Sequence, residues 1–236
     1  MSELIFSKYG IEPSITITDT DFYTLSIENK KFLYEYLNQL KEQSENDKLE
    51  NFHLLLNNKV LNTEKSISLI TDFTNIDFNS KQITNLLYKK FADFLTKGEQ
   101  TSQIINLESI ILNLAEDFRV NSGLNIEYDS TITSSNLNKI CSLKISENSN
   151  KLLIKLCEYI NLLCDLKPLK LFILVFSKHY LGNDELICLY KHCRDKEVRL
   201  LLIEGVDNTE LLDNEKRLII DKDLCSITQG FEEENY

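Results

Sequence analysis

The sequence predicts a mixed α/β fold in which a block of helices is inserted into a sheet-forming domain. Two nearly continuous apolar runs, residues 169–176 and 198–203, are typical of buried parallel strands. Between about residue 77 and residue 166, apolar side chains recur at helical spacing instead. Only two prolines and six glycines interrupt the 236 residues, so long regular elements can form.

The first 76 residues are predicted to alternate strands with one helix. Four short segments have strand-like composition: residues 14–18, 22–27, 52–56 and 67–71. From about residue 29 the apolar residues follow helical spacing, which predicts an amphipathic helix. Asn57 and Asn58 predict the tight turn of a hairpin whose second arm continues through residues 59–61.

The middle of the chain is predicted to be helical. Helical spacing marks four segments, at about residues 83–95, 104–118, 134–140 and 152–163. A short link containing Gly98 joins the first two helices and predicts an antiparallel helical hairpin. An extended piece is expected at residues 124–128, after Gly123.

The last part of the chain is predicted to return to the sheet. A helix at residues 183–193 separates the two apolar runs, and this order predicts a buried parallel β-α-β unit. Residues 211–220 and 231–236 are predicted to be peripheral. The sequence thus predicts two domains: an α/β head, residues 1–76 plus 167–236, and an α-helical leg, residues 77–166.

Several common catalytic and binding patterns are absent from the sequence. The turn after the strand at residues 22–27 contains no glycine, and neither a Walker A pattern nor G-x-G-x-x-G occurs, so ATP or NAD binding is not expected. G-x-S-x-G is missing as well. His192 and Cys193 are consecutive helix residues that point apart. The six cysteines include no C-x-x-C pair, which favours reduced thiols over a zinc site.

The charge is unevenly distributed along the chain. A net charge of −11 argues against nucleic-acid binding when the chain is taken as a whole. Residues 184–236, however, hold 7 basic and 14 acidic side chains, whereas residues 139–183 hold 7 lysines and 3 acidic side chains. This central basic strip is either a solvated helix face or a phosphate-binding face, and several copies in an oligomer would strengthen the second alternative.

An acidic pair follows the predicted helical hairpin. Glu127 and Asp129 alternate along the extended piece, so their carboxylates point the same way and can share a hard cation such as Ca²⁺. Ca²⁺ requires six to eight oxygen ligands, and the neighbouring Asn125 and Ser130 add only neutral oxygens. A solvated loop is the favoured alternative.

Several segments in order along the chain resemble one known family. They are Leu-Ile-Thr-Asp-Phe-Thr-Asn-Ile-Asp-Phe-Asn-Ser at residues 69–80, Leu-Asn-Ile-Glu-Tyr-Asp at 124–129, Leu-Phe-Ile-Leu-Val-Phe-Ser at 171–177 and Leu-Leu-Leu-Ile-Glu at 200–204. Together with the Glu12-Pro13 start, they resemble the short form of the ring-forming CRISPR-associated adaptation protein of type II-A systems, the non-catalytic Csn-type partner of the integrase-type Cas proteins.

The resemblance implies a fold and an assembly. The head would resemble a degenerate ATP-binding-cassette ATPase core that does not bind ATP, and the helical leg would drive assembly. Four copies would form a homotetrameric ring whose central hole binds the ends of linear double-stranded DNA without sequence preference. Ca²⁺ held by acidic residues after the leg hairpin would stabilise the ring.

The resemblance also implies site residues. Glu127 and Asp129 match acidic positions of the family's calcium segment, while Asn125, Ser130 and Asn136 stand where family members carry acids. Three lost carboxylates weaken Ca²⁺ binding. The residues expected to contact DNA are lysines, three from the resemblance and three from the neighbouring basic positions: Lys59, Lys139 and Lys144, then Lys65, Lys151 and Lys155.

The function expected from the sequence is therefore a DNA clamp and not an enzyme. The protein is expected to be cytoplasmic, with no targeting or membrane-spanning segment, and to work with the CRISPR integrase proteins and the effector nuclease in spacer acquisition. The alternative is a protein-interaction scaffold of the adaptation complex, in which the acidic C-terminal surface docks these partners and direct DNA contact is minor.

Overall fold

A computed structural model describes residues 3–45, 51–97, 101–128, 134–147, 149–206 and 209–230. The chain divides into two compact units, Met1–Ile76 with Glu147–Tyr236, and Asp77–Ser146. The strands are β1 (Leu4–Lys8), β2 (Ile15–Ile17), β3 (Phe22–Ile27), β4 (Phe52–Leu56), β5 (Lys59–Val60), β6 (Ile67–Ile70), β7 (Leu171–Val175), β8 (Arg199–Glu204), β9 (Glu215–Ile220) and β10 (Ser226–Gln229). The helices are α1 (Lys30–Glu45), α2 (Thr63–Ser66), α3 (Lys81–Lys97), α4 (Thr101–Ser122), α5 (Ser134–Cys141), α6 (Leu152–Leu166) and α7 (Asn183–Asp195), with a 3-10 helix at Ser177–His179.

Two sheets form the first unit. The smaller sheet is antiparallel, in the order β2-β1-β4-β5, and its β4–β5 hairpin turns at Asn57 and Asn58, which have φ values of 49° and 63°. Positive φ at both turn residues matches the twist of a tight hairpin, so this prediction is confirmed. The larger sheet has the order β10-β9-β3-β8-β7-β6 and is parallel except for β10.

The core lies on both faces of the larger sheet. Every residue of β3, β7 and β8 is buried, which explains why these segments read as continuous apolar runs. On one face, Tyr36 and Leu40 of α1 pack in a cluster with residues of the smaller sheet. The predicted parallel unit of β7, α7 and β8 is confirmed, because β7 and β8 are adjacent and parallel.

Residues 211–220 were predicted to be peripheral, and that prediction is wrong. Strand β9 pairs in parallel with β3 along its whole length, with Phe22 opposite Glu215 and Ile27 opposite Ile220. The strand begins with three consecutive charged residues, Glu215 to Arg217. In the sequence, charged side chains indicate an exposed segment, so this pattern does not predict a buried strand.

Helix α6 also departs from the predicted leg boundary. The structure groups residues 147–166 with the first unit, whereas the sequence placed them in the leg. Leu156, Ile160 and Leu163 of α6 are buried, and Asn161 lies 3.1 Å from the imidazole Nε2 of His192 in α7. Helical periodicity identifies an apolar face but does not say which domain covers it.

The second unit contains α3, α4 and α5. Helix α3 packs against α5, and Ile83 and Leu137 are buried. Asn79 ties the chain after α5 to the start of α3, since its side chain exchanges two hydrogen bonds with the backbone of Ile145, at 2.8 and 3.0 Å. Gly98 lies outside the described residues, so the antiparallel hairpin stays a prediction.

An ion network is buried on the face of the larger sheet that carries Thr24. The Glu215 carboxylate is fully buried and accepts hydrogen bonds from Thr24 Oγ1 at 2.6 Å and Lys178 Nζ at 2.7 Å, with Arg217 Nη2 at 3.3 Å. Burial opposes ionisation of Glu215, but the hydrogen bonds from Lys178, Thr24 and the Leu212 N–H and the attraction of Lys178 outweigh it and lower its pKa.

We expect Glu215→Gln to destabilise the protein by about 3 to 5 kcal/mol, because it removes the anion that compensates the buried Arg217 and the largely buried side chain of Lys178. Urea unfolding followed by circular dichroism measures the change. Glu42→Gln, at an exposed position of α1, is the matched control and should change the free energy of unfolding by less than about 0.5 kcal/mol. Equal effects of the two substitutions would contradict a structural role for the network.

The contribution of Glu215 should also depend on pH in a defined direction. Because its pKa is lowered in the folded state, its stabilisation is fully present above its ordinary pKa of 4.5 and is lost as the pH falls through the folded value. The difference in unfolding free energy between wild type and Glu215→Gln should therefore shrink below pH 4.5. A difference that grows on acidification would contradict this assignment.

Candidate nucleic-acid interface

The predicted DNA-binding lysines of the first unit occupy separate places on its surface. Lys59 begins β5 directly after the hairpin turn, Lys65 lies in α2, and Lys151 precedes the first residue of α6. All three side chains are exposed, as an interface with phosphates requires. Lys155 lies one helical turn after Lys151, and its N–H donates to the Lys151 carbonyl at 2.9 Å.

Lys155 differs from the others because it already has an anionic partner. Its Nζ lies 2.9 Å from Glu147 Oε2, and its side chain is only 22% exposed. This pair neutralises much of the charge that the sequence assigned to DNA contact. Lys155 is therefore less available to DNA phosphates than the four exposed lysines, which are Lys59, Lys65, Lys144 and Lys151.

Two predicted lysines belong to the second unit. Lys144 is exposed in the segment that follows α5. Lys139 lies within α5, and its side chain is outside the described residues. Of these two predicted lysines, the structure describes an exposed side chain for Lys144 alone.

Sequence reasoning missed further basic side chains at the amino edge of the larger sheet. The N–H of Lys170 donates to the Ser66 carbonyl and the N–H of Arg199 donates to the Lys170 carbonyl, both at 2.8 Å. These bonds place Lys170, directly before β7, next to Arg199 at the start of β8, and close to Ser66, the neighbour of Lys65 in α2. Lys170 belongs to the basic strip, but only the strand order could bring it to Arg199.

The turn from β3 to α1 is closed by a side chain. Asn29 Oδ1 accepts from the Phe32 N–H at 3.1 Å, and Asn29 Nδ2 donates to the Lys222 carbonyl at 2.9 Å. Asn29 thus caps α1 and ties it to the segment after β9. The turn has no glycine-rich loop with which to surround an anion.

A cleft of about 430 Å³ lies at the carboxyl ends of β7 and β8. Its lining is largely aromatic and apolar: Phe176, His179, Tyr180, Gly205 and Val206. The buried Glu204 carboxylate lies beneath it, accepting from the Lys178 N–H at 3.0 Å. The described residues of this lining include no lysine or arginine that could bind a phosphate group.

Tyr128, in the acidic segment after α4, contacts Glu116 of that helix. Tyr128 Oη donates to Glu116 Oε2 at 2.8 Å, and Arg119 Nε donates to the same oxygen at 2.9 Å. The hydrogen bond from Arg119, followed by that from Tyr128, lowers the pKa of Glu116 to about 2. Glu116 is therefore engaged with side chains of its own segment.

The predicted calcium ligands are only partly described. Glu127 is exposed, and Asp129 lies outside the described residues. In the part of the chain that the structure describes, no group of three or more His, Cys, Asp or Glu side chains could hold a metal ion. The calcium site therefore stays a prediction.

Helix α4 exposes a stripe of apolar side chains. Ile110, Leu114 and Phe118 recur every four residues and are 58%, 64% and 60% exposed. Such spacing places them on one helix face. An exposed apolar stripe of this length is typical of a contact surface between protein chains. No helix of the described residues is long and apolar enough to cross a membrane.

Comparison with known proteins identifies the family. The profile of the family described as "CRISPR-associated protein (Cas_Csn2)" matches residues 43–224, which is most of the chain. The chain belongs to the CRISPR-associated Csn2 family. A curated Csn2-family relative, the CRISPR-associated protein Csn2 of Streptococcus agalactiae, is 28% identical over 165 residues, which cover 70% of this chain and 72% of the relative. The resemblance found in the sequence is thus confirmed.

The solved structure of one similar protein, Stu0660, supports the fold of this Csn2-family chain. Stu0660 of Streptococcus thermophilus superposes with a TM-score of 0.57 at 11% identity, covering 93% of this chain and 75% of that protein. A nucleotide-free ATP-binding cassette from an ABC transporter gives a TM-score of 0.44 at 14% identity, covering 94% and 88% of the two chains. The predicted fold class, α/β with an inserted helical segment, is confirmed.

We expect Asn29→Ala to destabilise the protein by about 1 kcal/mol through loss of the α1 cap. Urea unfolding measures the change. Asn38→Ala, at an exposed interior position of the same helix, is the control and should be neutral or slightly stabilising, because alanine has the higher helix propensity. Similar destabilisation by both substitutions would show that Asn29 does not cap α1.

Proposed function

We propose that this Csn2-family protein binds the ends of linear double-stranded DNA, without sequence preference, during CRISPR spacer acquisition. In this proposal it acts as a homotetrameric ring that serves as a clamp or scaffold for the integrase complex. The observation that carries the proposal is membership of the Csn2 family over residues 43–224. The proposal assigns the protein no catalytic residue and no ATP.

Exposed lysines support the DNA-binding part of the proposal. Lys59, Lys65, Lys144 and Lys151 present ammonium groups to solvent in a chain whose net charge is −11. One copy would bind DNA weakly, because each neutralised phosphate contributes a small, salt-dependent amount. Four symmetry-related copies around one duplex multiply these contacts without requiring any base readout.

The apolar stripe of α4 supports assembly. Leu114 and Phe118 are large, apolar and more than half exposed, and burying each against a second chain contributes roughly 1.5 to 3 kcal/mol. In the proposed ring, α4 provides part of the contact between copies. Glu127 and Asp129 supply two of the oxygen ligands for Ca²⁺, and the remaining ligands come from water or other carbonyl groups.

The acidic C-terminal segment favours a second candidate function. Residues 184–236 carry 14 acidic and 7 basic side chains, and this excess of acidic residues suits basic partner proteins better than DNA. Under this alternative the protein is an interaction scaffold for the integrase proteins and the effector nuclease. Direct DNA binding would then be minor.

The double substitution Lys59→Glu/Lys144→Glu should weaken binding of a short linear duplex by at least about tenfold, because it reverses two charges per copy in the ring. Electrophoretic mobility shift or fluorescence anisotropy measures the affinity. Lys31→Glu/Lys41→Glu, which reverses two exposed charges on α1, is the matched control and should retain wild-type affinity. Wild-type protein should prefer linear over closed circular duplex.

Two results would contradict the clamp. Equal affinity for linear and closed circular DNA would exclude binding by threading. Unchanged DNA affinity in Lys59→Glu/Lys144→Glu, with wild-type binding to the partner proteins retained, would favour the scaffold.

Leu114→Lys/Phe118→Lys should convert the assembly into smaller species, because it places two charges in the apolar contact of each copy. Multi-angle light scattering measures the mass, with and without a Ca²⁺ chelator. Asn113→Lys, an exposed neighbour on the same helix, is the control and should leave the mass unchanged. A wild-type mass equal to that of one chain would contradict the ring.

A further inference from the structure

A second cleft, of about 500 Å³, lies at the amino edge of the larger sheet. Three cationic side chains line it: Lys170 before β7, Arg194 in the last turn of α7, and Arg199 at the start of β8. They come together because β7 and β8 are parallel neighbours, so that the segments entering both strands meet at one edge.

Two of these cations are held in place. Arg199 is only 7% exposed and pairs with the carboxylate of Asp19, which orients its guanidinium group. Arg194 lies over the ring of Tyr190, with its guanidinium carbon 5.8 Å from the ring centroid. Cationic groups fixed by neighbours lose less conformational entropy when they bind an anion than free lysines do.

Cations outnumber acids among the described residues that line the cleft. These residues include two acids, Asp19 and Glu197, and three cations. Asp19 is paired with Arg199, so its main effect is to position that side chain. With that pair set aside, the described lining leaves two cations, Lys170 and Arg194, and one carboxylate, that of Glu197, in a protein that is strongly acidic as a whole.

The cleft also has one partly exposed apolar side chain. Leu56 of β4 lines it, next to the exposed Asn57 in the hairpin turn, whereas Leu4 of β1 is fully buried. Its volume lies in the range of small-molecule sites, about 300 to 1,000 Å³. Arginine and lysine bind phosphate oxygens, while leucine side chains and an amide suit a sugar and a base.

We propose that this cleft binds a nucleoside monophosphate, with the phosphate monoester on Arg194, Lys170 and Arg199 and the nucleoside against Leu56 and Asn57. Such a group occurs both as a free nucleotide and as the 5′-phosphorylated terminal nucleotide of a DNA strand. The second source rests on the proposed function, because it requires that DNA ends bind to this protein. The cleft would then distinguish phosphorylated from unphosphorylated ends.

The test compares two duplexes and one free nucleotide on the full-length protein. Fluorescence anisotropy measures affinity for blunt duplexes of one sequence with 5′-phosphate or 5′-hydroxyl ends, and calorimetry measures deoxyadenosine monophosphate. Wild-type protein should bind the phosphorylated duplex about tenfold more tightly, and Arg194→Gln and Lys170→Gln should each remove this preference. Lys191→Gln, an exposed position of α7 outside the cleft, is the matched control.

The possible outcomes distinguish the cleft assignment from the proposed DNA binding. Equal affinity for both duplexes together with no binding of the nucleotide overturns the cleft assignment and leaves the proposed DNA binding standing. Nucleotide binding that is lost in Arg194→Gln, without any duplex binding, supports the cleft and contradicts the proposed function. A loss as large in Lys191→Gln as in Arg194→Gln overturns the assignment. The unfolding midpoint of each variant shows whether it is folded. If Lys170→Gln does not fold, Arg194→Gln still tests the assignment, because Arg194 is exposed.

Discussion

The pairing of β3 with both β8 and β9 is the constraint on which the first unit depends. β3 is complete by residue 27, yet its two neighbours begin at residues 199 and 215, and all three are parallel. The chain therefore leaves β3 at Ile27 and returns beside it only at Arg199, and on the way β6 and β7 add two further strands to the same sheet. Apolar burial across β3 and β8 supplies the main stabilisation, and the Glu215 network adds a charged contact that only this pairing can form.

The same pairing explains which elements were predictable from the sequence. β3, β4 and the Asn57–Asn58 turn carry strong local signals, namely strand-like composition and a two-residue asparagine turn, and their predicted positions match. β9 carries no such signal, because charged residues stand where the sheet buries them in ion pairs. β10 is fully exposed, so no apolar pattern marks it. Long-range pairing identifies these strands, and a single sequence does not contain that information.

The candidate site was predictable to a smaller extent. Charge counting and the family resemblance together predicted the basic strip and six DNA-binding lysines. They did not predict that Glu147 pairs with Lys155, because this contact depends on the fold. Nor could they place Asp19, Lys170 and Arg199 around one cleft, since their sequence separations exceed 25 residues and only the strand order unites them. The −11 net charge therefore describes an average over surfaces of opposite character.

The two ends of the larger sheet differ in chemistry, with basic side chains at the amino edge and an aromatic cleft above Glu204 at the carboxyl edge. The central claim is that nucleic acid contacts the basic surfaces and not the carboxyl edge. Hydrogen exchange with and without a short linear duplex tests it directly. The account predicts slower exchange at residues 57–60, 144–151 and 194–199; slowing confined to residues 176–182 and 204–206 would contradict it.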